Sequence, residues 1–438
     1  MKNKFFYLAV SVLSFASAIA QNDNGTQTAC ADFCVPYGNL GLDFAAAEID
    51  SANSALFDAS GLKFFYGYYG VVVGNPYGGN AQGTNYTHEM VYGVKANLDK
   101  LAGWKGGEFV VSGAYDAGDN LSNKIGNFFI SSESYISHGG ALFYELYLAQ
   151  TFETSWGDAV RICMGRISMS DAFKGLPAFS QLVSGGIDST PQAIFANSPF
   201  TSSPTAGWGA SAKYSTVSDL SFSAGLYQAT PAMSSPNWHG TDFGISDNDG
   251  YMTMFQASWN PVFYRDDNGG YAGVYRLAGY FFGGYDMPDF TSNTGGVRSN
   301  GYGFYLEGQQ TVWVDSADKN RNVSVWAGAQ YSPVNSISTI SWMTYAGVQL
   351  QGFVPHRSKD AILFSWMTGW FGSAFSNDYC PSARGYVATY ETLVEATYVY
   401  QINEHIAIQP DIQYIMRPYG NSDADDALVI GGQIVATF

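Results

Sequence analysis

The feature that most constrains the fold is a strict two-residue alternation that places single polar side chains among apolar neighbours. In HIAIQPDIQYIM, Ile408, Ile412 and Tyr414 share one face of an extended strand, and Gln409 and Asp411 share the other. DALVIGGQIVATF, at the end of the chain, repeats the pattern. A lone carboxylate is costly to bury in a dry core, but it costs little in a water-filled lumen. The alternation therefore indicates strands of a transmembrane β-barrel, with one face toward lipid and the other toward an aqueous lumen.

The same alternation recurs in LFYELYLAQTF, GYGFYLEGQQTVWV, AILFSWMTGWF and YETLVEATYVYQ. Each segment is long enough to cross a bilayer as a strand, which takes about 9–11 residues. In the first segment the pattern predicts that Leu142 and Tyr144 face lipid and that Glu145 and Tyr147 face the lumen. Inward polar side chains predicted on the other segments are Glu307, Gln309, Glu391 and Glu395.

The N-terminal stretch MKNKFFYLAVSVLSFASAIAQ predicts a signal peptide over residues 1–20. Lys2 and Lys4 precede an apolar run, and Ala18 to Ala20 form a small-residue cleavage site. The run is shorter than the roughly 20 residues of a membrane helix, so a retained anchor is the weaker alternative. Export would place Cys30 and Cys34 in an oxidising compartment, where a local disulfide and two unpaired thiols both stay open.

The rest of the chain is predicted to form one membrane domain. Strands of about 10 residues with intervening turns fit about 16 strands into this length. We therefore predict an all-β fold, a transmembrane antiparallel β-barrel of about 16 strands over residues 62–438. Residues 21–61 are predicted to form a periplasmic or lumen-associated segment with a short helix, in which Asp43 to Ser60 has a helical pattern ended by Gly61.

Turn-rich stretches predict where the strands connect. A short connection, Asn403 to His405, is predicted to be a periplasmic turn. The stretches predicted as extracellular loops are Ser184 to Ala206, Ser234 to Gly250 and Met287 to Asn300.

Composition agrees with a membrane barrel and argues against several other classes of function. Aromatic residues make up 16% of the chain, which suits interfacial girdles, and charged residues only 13%. With a formal net charge of −17 and no evident basic patch, the protein is a poor candidate for binding nucleic acid. The five histidines lack metal-ligand spacing, so we predict no metal and no other cofactor.

The chain ends on an aromatic residue in the last alternating strand. By parity, Phe438 shares the apolar face with Ile430 and Ile434. We therefore expect Phe438 to face lipid at the periplasmic rim. A terminal aromatic residue on such a strand is also the usual targeting feature of bacterial outer-membrane barrels, so the barrel-assembly machinery is an expected partner.

Several sequence blocks, in their order along the chain, resemble the carbohydrate-selective porins of the OprB family. The blocks include GGEFVVSGAYDAGDNLS (Gly106 to Ser122), MGRISMSDAF (Met164 to Phe173), HGTDFGI (His239 to Ile245), GYGFYLEGQQ (Gly301 to Gln310) and GFVPHRSKD (Gly352 to Asp360). The resemblance implies a 16-stranded barrel in the bacterial outer membrane, surrounded by lipid. It also implies passive diffusion of glucose and related monosaccharides or small oligosaccharides. The sequence is compatible with both a monomer and a homo-oligomer.

A neutral sugar cannot be selected by net charge, so a sugar channel needs opposed acidic and basic groups and aromatic faces along its wall. Arg161 and Arg166 lie five residues apart, and a regular strand would send them to opposite faces; we favour Arg166 as the luminal one. Each charged residue could instead be a solvated group that pairs only with charges on other strands and does not bind a sugar. Each tyrosine could likewise be a structural residue of the barrel wall. The other predicted pore-lining residues are Glu145, Tyr147, Glu307, Gln309, Glu391, Glu395, Gln409 and Asp411.

Two other classes of function remain as alternatives to a channel. A structural or adhesive outer-membrane barrel would have the same strands, but its loops would bind surfaces. An outer-membrane hydrolase would need a histidine beside a serine or aspartate at the outer rim, and HGTD, His239 to Asp242, is the nearest candidate.

Overall fold

The computed structural model describes residues 53, 55–134, 139–187, 190–235, 237–264, 270–292 and 295–438. Within them the chain runs up and down as antiparallel strands, each paired with its neighbours in sequence, and β1 pairs with β17 to close the sheet. The strands are β1 (Leu62–Tyr77), β2 (Gly83–Asn97), β3 (Gly107–Gly118), β4 (Gly140–Glu153), β5 (Ala159–Ile167), β6 (Gly207–Ser215), β7 (Leu220–Ala229), β8 (Gly250–Trp259), β9 (Val262–Phe263), β10 (Tyr271–Pro288), β11 (Val297–Val314), β12 (Asn322–Tyr331), β13 (Ile340–Gln351), β14 (Ala361–Phe371), β15 (Tyr390–Gln401), β16 (Ile406–Met416) and β17 (Ala427–Thr437).

The barrel has 16 strands, because β9 is a two-residue continuation of β8 that pairs with β10 alone. Closure leaves no free edge, so the backbone ladder satisfies its own hydrogen bonds within the bilayer. This confirms the predicted fold class, including the short helix that precedes β1 at residues 55–60. The predicted signal peptide, Cys30, Cys34 and most of the predicted helical segment lie outside the described residues.

Burial follows the alternation along the strands. On β16, Gln409, Asp411 and Gln413 are at most 5% exposed, while Ile408 and Ile412 are more than 40% exposed on the outer face. Exposed Ile, Leu, Phe, Tyr and Trp side chains cover the outside of the other strands in the same way. Among the helices in the described part of the chain, none has both the length and the apolar character to cross a membrane.

A β-bulge in β4 reverses part of the predicted alternation. The register between β3 and β4 shifts between Val111 and Gly113, so that Tyr144 and Glu145 together face Ser112. Leu142 and Tyr144 are therefore buried on the inner side, at 3% and 0% exposure, and the prediction that they face lipid is wrong. A bulge adds one residue to one strand and so inverts the parity on one side of it.

The core of the molecule lies inside the barrel. Two connections fold inward: residues 120–134, called here the first inner segment, and residues 168–206 without 188–189, called the second inner segment. Leu121 and Phe129 from the first, and Phe179 and Leu182 from the second, are fully buried against inward wall residues such as Met367. The predicted extracellular loop Ser184 to Ala206 thus belongs largely to the lumen.

The C-terminal residue is more enclosed than its parity suggests. Phe438 exchanges two backbone hydrogen bonds with Tyr66 of β1, at 2.8 and 2.9 Å, and so contributes to barrel closure. Its ring stacks on His405 with centroids 5.0 Å apart, and it is only 7% exposed. The expectation that Phe438 faces lipid at the periplasmic rim is therefore wrong, because the ring is buried against protein.

The periplasmic turn between β13 and β14 is held by one ion pair. Arg357 donates from Nε and Nη2 to the two carboxylate oxygens of Asp360, at 2.9 and 2.8 Å, and Nη2 also donates to the Gln401 carbonyl oxygen. The guanidinium lies 4.0 Å from the ring centroid of Tyr400. Hydrogen bonding to Asp360 raises the pKa of Arg357. The turn is thereby tied to β15, because Asp360 also accepts the Gln401 N–H.

Candidate channel lumen

Glu391 of β15 holds the first inner segment in the bore. Its carboxylate accepts the backbone N–H groups of Phe128 and Phe129, at 2.7 and 2.6 Å, and the N–H of Tyr419. The side chain is 0% exposed. A carboxylate that accepts several peptide N–H groups is compensated for its burial by charge-assisted hydrogen bonds. Glu391 therefore acts as an anchor in this conformation.

Glu395, four residues further along β15 on the same face, holds the second inner segment in the same way. Oε1 accepts the N–H groups of Val183 and Ser184, at 2.6 and 3.2 Å, and Oε2 accepts the Ser184 hydroxyl at 2.6 Å. On β16, Gln413 donates to the Ser131 carbonyl oxygen at 3.0 Å and to Asp411 at 2.8 Å. Strands β15 and β16 thus carry a row of polar anchors for both inner segments.

Strand β11 supplies a second set of anchors. Gln309 Oε1 accepts the Ala178 N–H at 3.0 Å, and Glu307 accepts the Tyr345 hydroxyl at 3.0 Å. Arg276 of β10 lies 3.5 Å from Glu307 and also donates to the carbonyl oxygens of Lys174 and Gly175 in the second inner segment. This guanidinium connects an acidic wall residue to the inner backbone.

The remaining predicted residues on β4 and β16 are also enclosed. Glu145 Oε1 accepts the Ser168 N–H at 3.1 Å, at the point where the chain enters the second inner segment. Tyr147 is 2% exposed and belongs to an apolar cluster with Val110 and Cys163 on the neighbouring strands. Gln409 is 2% exposed on the inner face of β16. Direct contact of these side chains with a sugar stays a prediction.

The two arginines of β5 lie on opposite faces, with the assignment reversed from our preference. Arg161 shares the inward parity of Cys163 and bonds to Glu108 of β3 at 2.6 Å. Arg166 pairs in register with the outward residues Leu146 and Trp208. We therefore correct the expectation that Arg166 is the luminal arginine.

Arg166 instead supports an extracellular loop that folds over the outer wall. It donates to the carbonyl oxygens of Asp242 and Ala206, at 2.8 and 3.0 Å, and lies over the rings of Trp238 and Phe243. The loop also completes the upper edge of β4, because Phe143 donates its N–H to the His239 carbonyl oxygen at 2.9 Å. The HGTD block therefore has a structural role in this conformation, because it joins the loop to β4 and β5.

The sequence reasoning missed a charged cluster at the periplasmic end of the lumen. Glu108 accepts from Lys95 of β2 at 3.0 Å and from Arg161 at 2.6 Å, so one carboxylate bridges two cations. Their side chains keep 9–23% of their surface exposed, whereas Glu391 keeps none. The signal was present in the alternation of β2 and β3, GTNYTHEMVYGVKAN and GEFVVSGAYDAG, where Lys95 and Glu108 have inward parity.

Comparison with known proteins identifies the family. Residues 81–438 match the sequence profile of the carbohydrate-selective porin, OprB family. The chain belongs to this family. Porin B of Pseudomonas aeruginosa is 25% identical over 452 residues, covering 92% of this chain and 96% of that protein. Putative porin QuiX of Acinetobacter baylyi is 22% identical over 371 residues, covering 78% of this chain and 81% of that protein.

Solved structures show the same barrel. The high-pH structure of Pseudomonas putida OprB aligns with a TM-score of 0.79 at 20% identity, covering 92% of this chain and 100% of that chain. The low-pH structure of the same protein aligns with a TM-score of 0.57 at 17% identity and the same coverage. Family and fold together make this OprB-type chain an outer-membrane channel for carbohydrates, as the resemblance predicted.

Proposed function

We propose that the protein passes glucose and related monosaccharides or small oligosaccharides across the outer membrane by passive diffusion. The observation that carries this proposal is a lumen narrowed by two inner segments, which Glu391 and Glu395 hold through four backbone N–H donors and one hydroxyl. A constriction made of tethered backbone has a fixed size, and size is the main means by which a pore can sort neutral solutes.

In this proposal the polar residues of the lumen divide into two roles. The acids and amides of β4, β11, β15 and β16 set the pore size by holding the inner segments. Lys95, Glu108 and Arg161 supply the opposed charges that exchange hydrogen bonds with sugar hydroxyls. Contacts with solute must stay weak enough for release, which favours these partly exposed side chains over the fully buried anchors.

We assign the remaining segments to the export and assembly of an outer-membrane protein. Residues 1–20 would direct export, residues 21–61 would stay on the periplasmic side or at the lumen, and residues 62–438 would form the barrel. The last strand, ending at Phe438, would be read by the barrel-assembly machinery. Packing of that ring on His405 supports a second role in closing the barrel.

Purified protein in liposomes tests the proposal. Swelling in glucose should be faster than in a disaccharide, and faster than in a neutral amino acid of similar size. Equal rates would contradict sugar selection, and no swelling at all would contradict a channel. Ester or peptide cleavage without swelling would favour the hydrolase, and the absence of both activities would favour an adhesive barrel.

A single substitution tests the charged cluster separately. Glu108→Gln removes the carboxylate that bridges Lys95 and Arg161, and preference for glucose over the amino acid should fall roughly two- to tenfold, because one hydrogen bond contributes about 0.5–1.5 kcal/mol. Glu404→Gln is the matched control, since Glu404 lies exposed at a periplasmic turn. An unchanged preference in Glu108→Gln would remove the cluster from the proposed site.

A further inference from the structure

Among the described strands, the charged residues with inward parity near the periplasmic ends are mostly positive. Lys63, Lys95, Arg161 and Lys213, called here the basic rim, have inward parity within three residues of the periplasmic ends of β1, β2, β5 and β6. On the described strands, the acids with inward parity at this level are Glu108, which bridges Lys95 and Arg161, and Glu153 at the end of β4. The described strands thus carry an excess of positive charge on their inner face at this level, in a protein with a net charge of −17.

The basic rim contains two like-charge pairs at directly opposite positions. Lys63 pairs in register with Lys95, and Arg161 pairs in register with Lys213. Like charges at such positions destabilise a sheet, by an amount on the order of 0.2–1 kcal/mol per pair. Natural proteins break local rules of this kind mainly where function requires it. Neutral hydroxyl and amide side chains would be sufficient if the inner wall only needed to be polar, and other strands carry such side chains at their periplasmic ends.

The opposite wall carries those neutral groups. Within three residues of the periplasmic ends of β12 and β13, the inward polar residues are Asn322, Ser324, Gln349 and Gln351. The acids of the extracellular half do not balance the basic rim, because Glu391 and Glu395 are 0% and 1% exposed and are bonded to inner-segment amides. A solute leaving the constriction therefore meets cations on one side and amides on the other.

We propose that the basic rim is a binding site for acidic saccharides, such as hexuronates, and that the channel passes them faster than neutral sugars of the same size. This rests on the proposed function as a sugar channel. The carboxylate of a hexuronate would accept hydrogen bonds from Lys63, Lys213 or the Lys95–Arg161 pair, and its hydroxyls would bond to the facing amides. A cleft with an excess of one sign of charge and low-dielectric walls also raises the local concentration of its counter-ion.

The test compares glucose and glucuronate, which share a ring and differ at one carbon. Radiolabelled uptake of both is measured in the same liposomes, at low and high salt. Wild-type protein should take up glucuronate faster than glucose, and the ratio should fall at high salt as the Debye length shrinks from about 30 Å at 0.01 M to about 3 Å at 1 M. The double variant Lys63→Gln/Lys213→Gln should lower the ratio roughly tenfold at low salt, the lower end of such focusing effects.

Two further variants isolate the basic rim. Lys105→Gln/Lys319→Gln makes the same change of charge at exposed periplasmic turns and should leave the ratio unchanged. Glu153→Gln removes an exposed acid beside the basic rim and should raise the ratio. If glucose is taken up but the ratio of glucuronate to glucose uptake is the same in all variants, this inference is wrong and the proposed sugar channel still stands. Failure of the wild-type protein to take up either solute would overturn both.

Discussion

The anchor at Glu391 gives the sharpest prediction for pore size. Glu391→Ala removes the acceptor of the N–H groups of Phe128, Phe129 and Tyr419. Each donor left buried without an acceptor costs about 1–3 kcal/mol, so the tethered first inner segment loses roughly 2 kcal/mol at the lower bound, from the N–H groups of Phe128 and Phe129. Since about 1.4 kcal/mol corresponds to a factor of ten, the balance between tethered and released states shifts by roughly thirtyfold or more.

The expected result is a wider pore in a barrel that still folds. Single-channel conductance in planar bilayers should rise, and liposome swelling in a disaccharide should approach the glucose rate. Glu391→Gln keeps one acceptor oxygen, so its effect should lie between those of Ala and wild type. Ser211→Ala serves as the control, because the Ser211 hydroxyl is buried on β6 with no hydrogen-bond partner in the described structure.

Two results would refute the reasoning. Conductance and disaccharide exclusion unchanged in Glu391→Ala would mean that apolar packing, such as that of the Phe128 ring on the Phe371 ring of β14, holds the first inner segment without the anchor. A larger effect of Gln than of Ala would mean that the negative charge itself, rather than accepted hydrogen bonds, sets the pore size. Heat-modifiable migration on gels verifies in each case that the barrel is intact.

Three further predictions concern the barrel. Because its strands have no free edge, unheated protein in dodecyl sulfate should migrate differently from boiled protein, and equal mobility would contradict closure. Asp360→Asn should lower the free energy of unfolding in urea by about 1–3 kcal/mol, because it breaks the paired hydrogen bonds from Arg357, while glucose flux stays unchanged; a wild-type midpoint would show that the turn does not need them. Phe438→Asp places a carboxylate between His405 and Tyr66 and should reduce the amount of assembled protein at the cell surface, and normal abundance would contradict a role for this ring.

Period-two alternation was sufficient to predict the barrel and the inward faces of most strands. The reason is physical: a strand that separates lipid from water must keep its two faces chemically distinct along its whole length. Glu307, Glu391, Glu395 and Asp411 were all assigned to the inner face from this pattern, and the structure places them there. The family resemblance then supplied the kind of solute.

Alternation could not reveal where parity changes or what covers an inner residue. The bulge opposite Ser112 depends on the register between β3 and β4, so Tyr144 and Glu145 both point inward. Arg166 is hidden by a loop that begins about 70 residues later in the chain, at residues 237–249. Spacing along one strand contains no information about either effect, and this is why the wrong arginine was favoured.

The anchors also explain why the constriction can be rigid although it is made of loops. The second inner segment leaves the wall at the end of β5 and is bonded to Glu395 on β15, and six strands separate these two along the shorter way round the barrel. In a barrel of 16 strands that is almost the opposite wall, so the segment crosses the bore. A connection fixed at both walls cannot swing aside as a free loop does, because movement must first break buried hydrogen bonds to a carboxylate. The strands therefore determine the pore size through the positions of their acids, and a change of solute range requires a change at these anchors or in the chain that they hold.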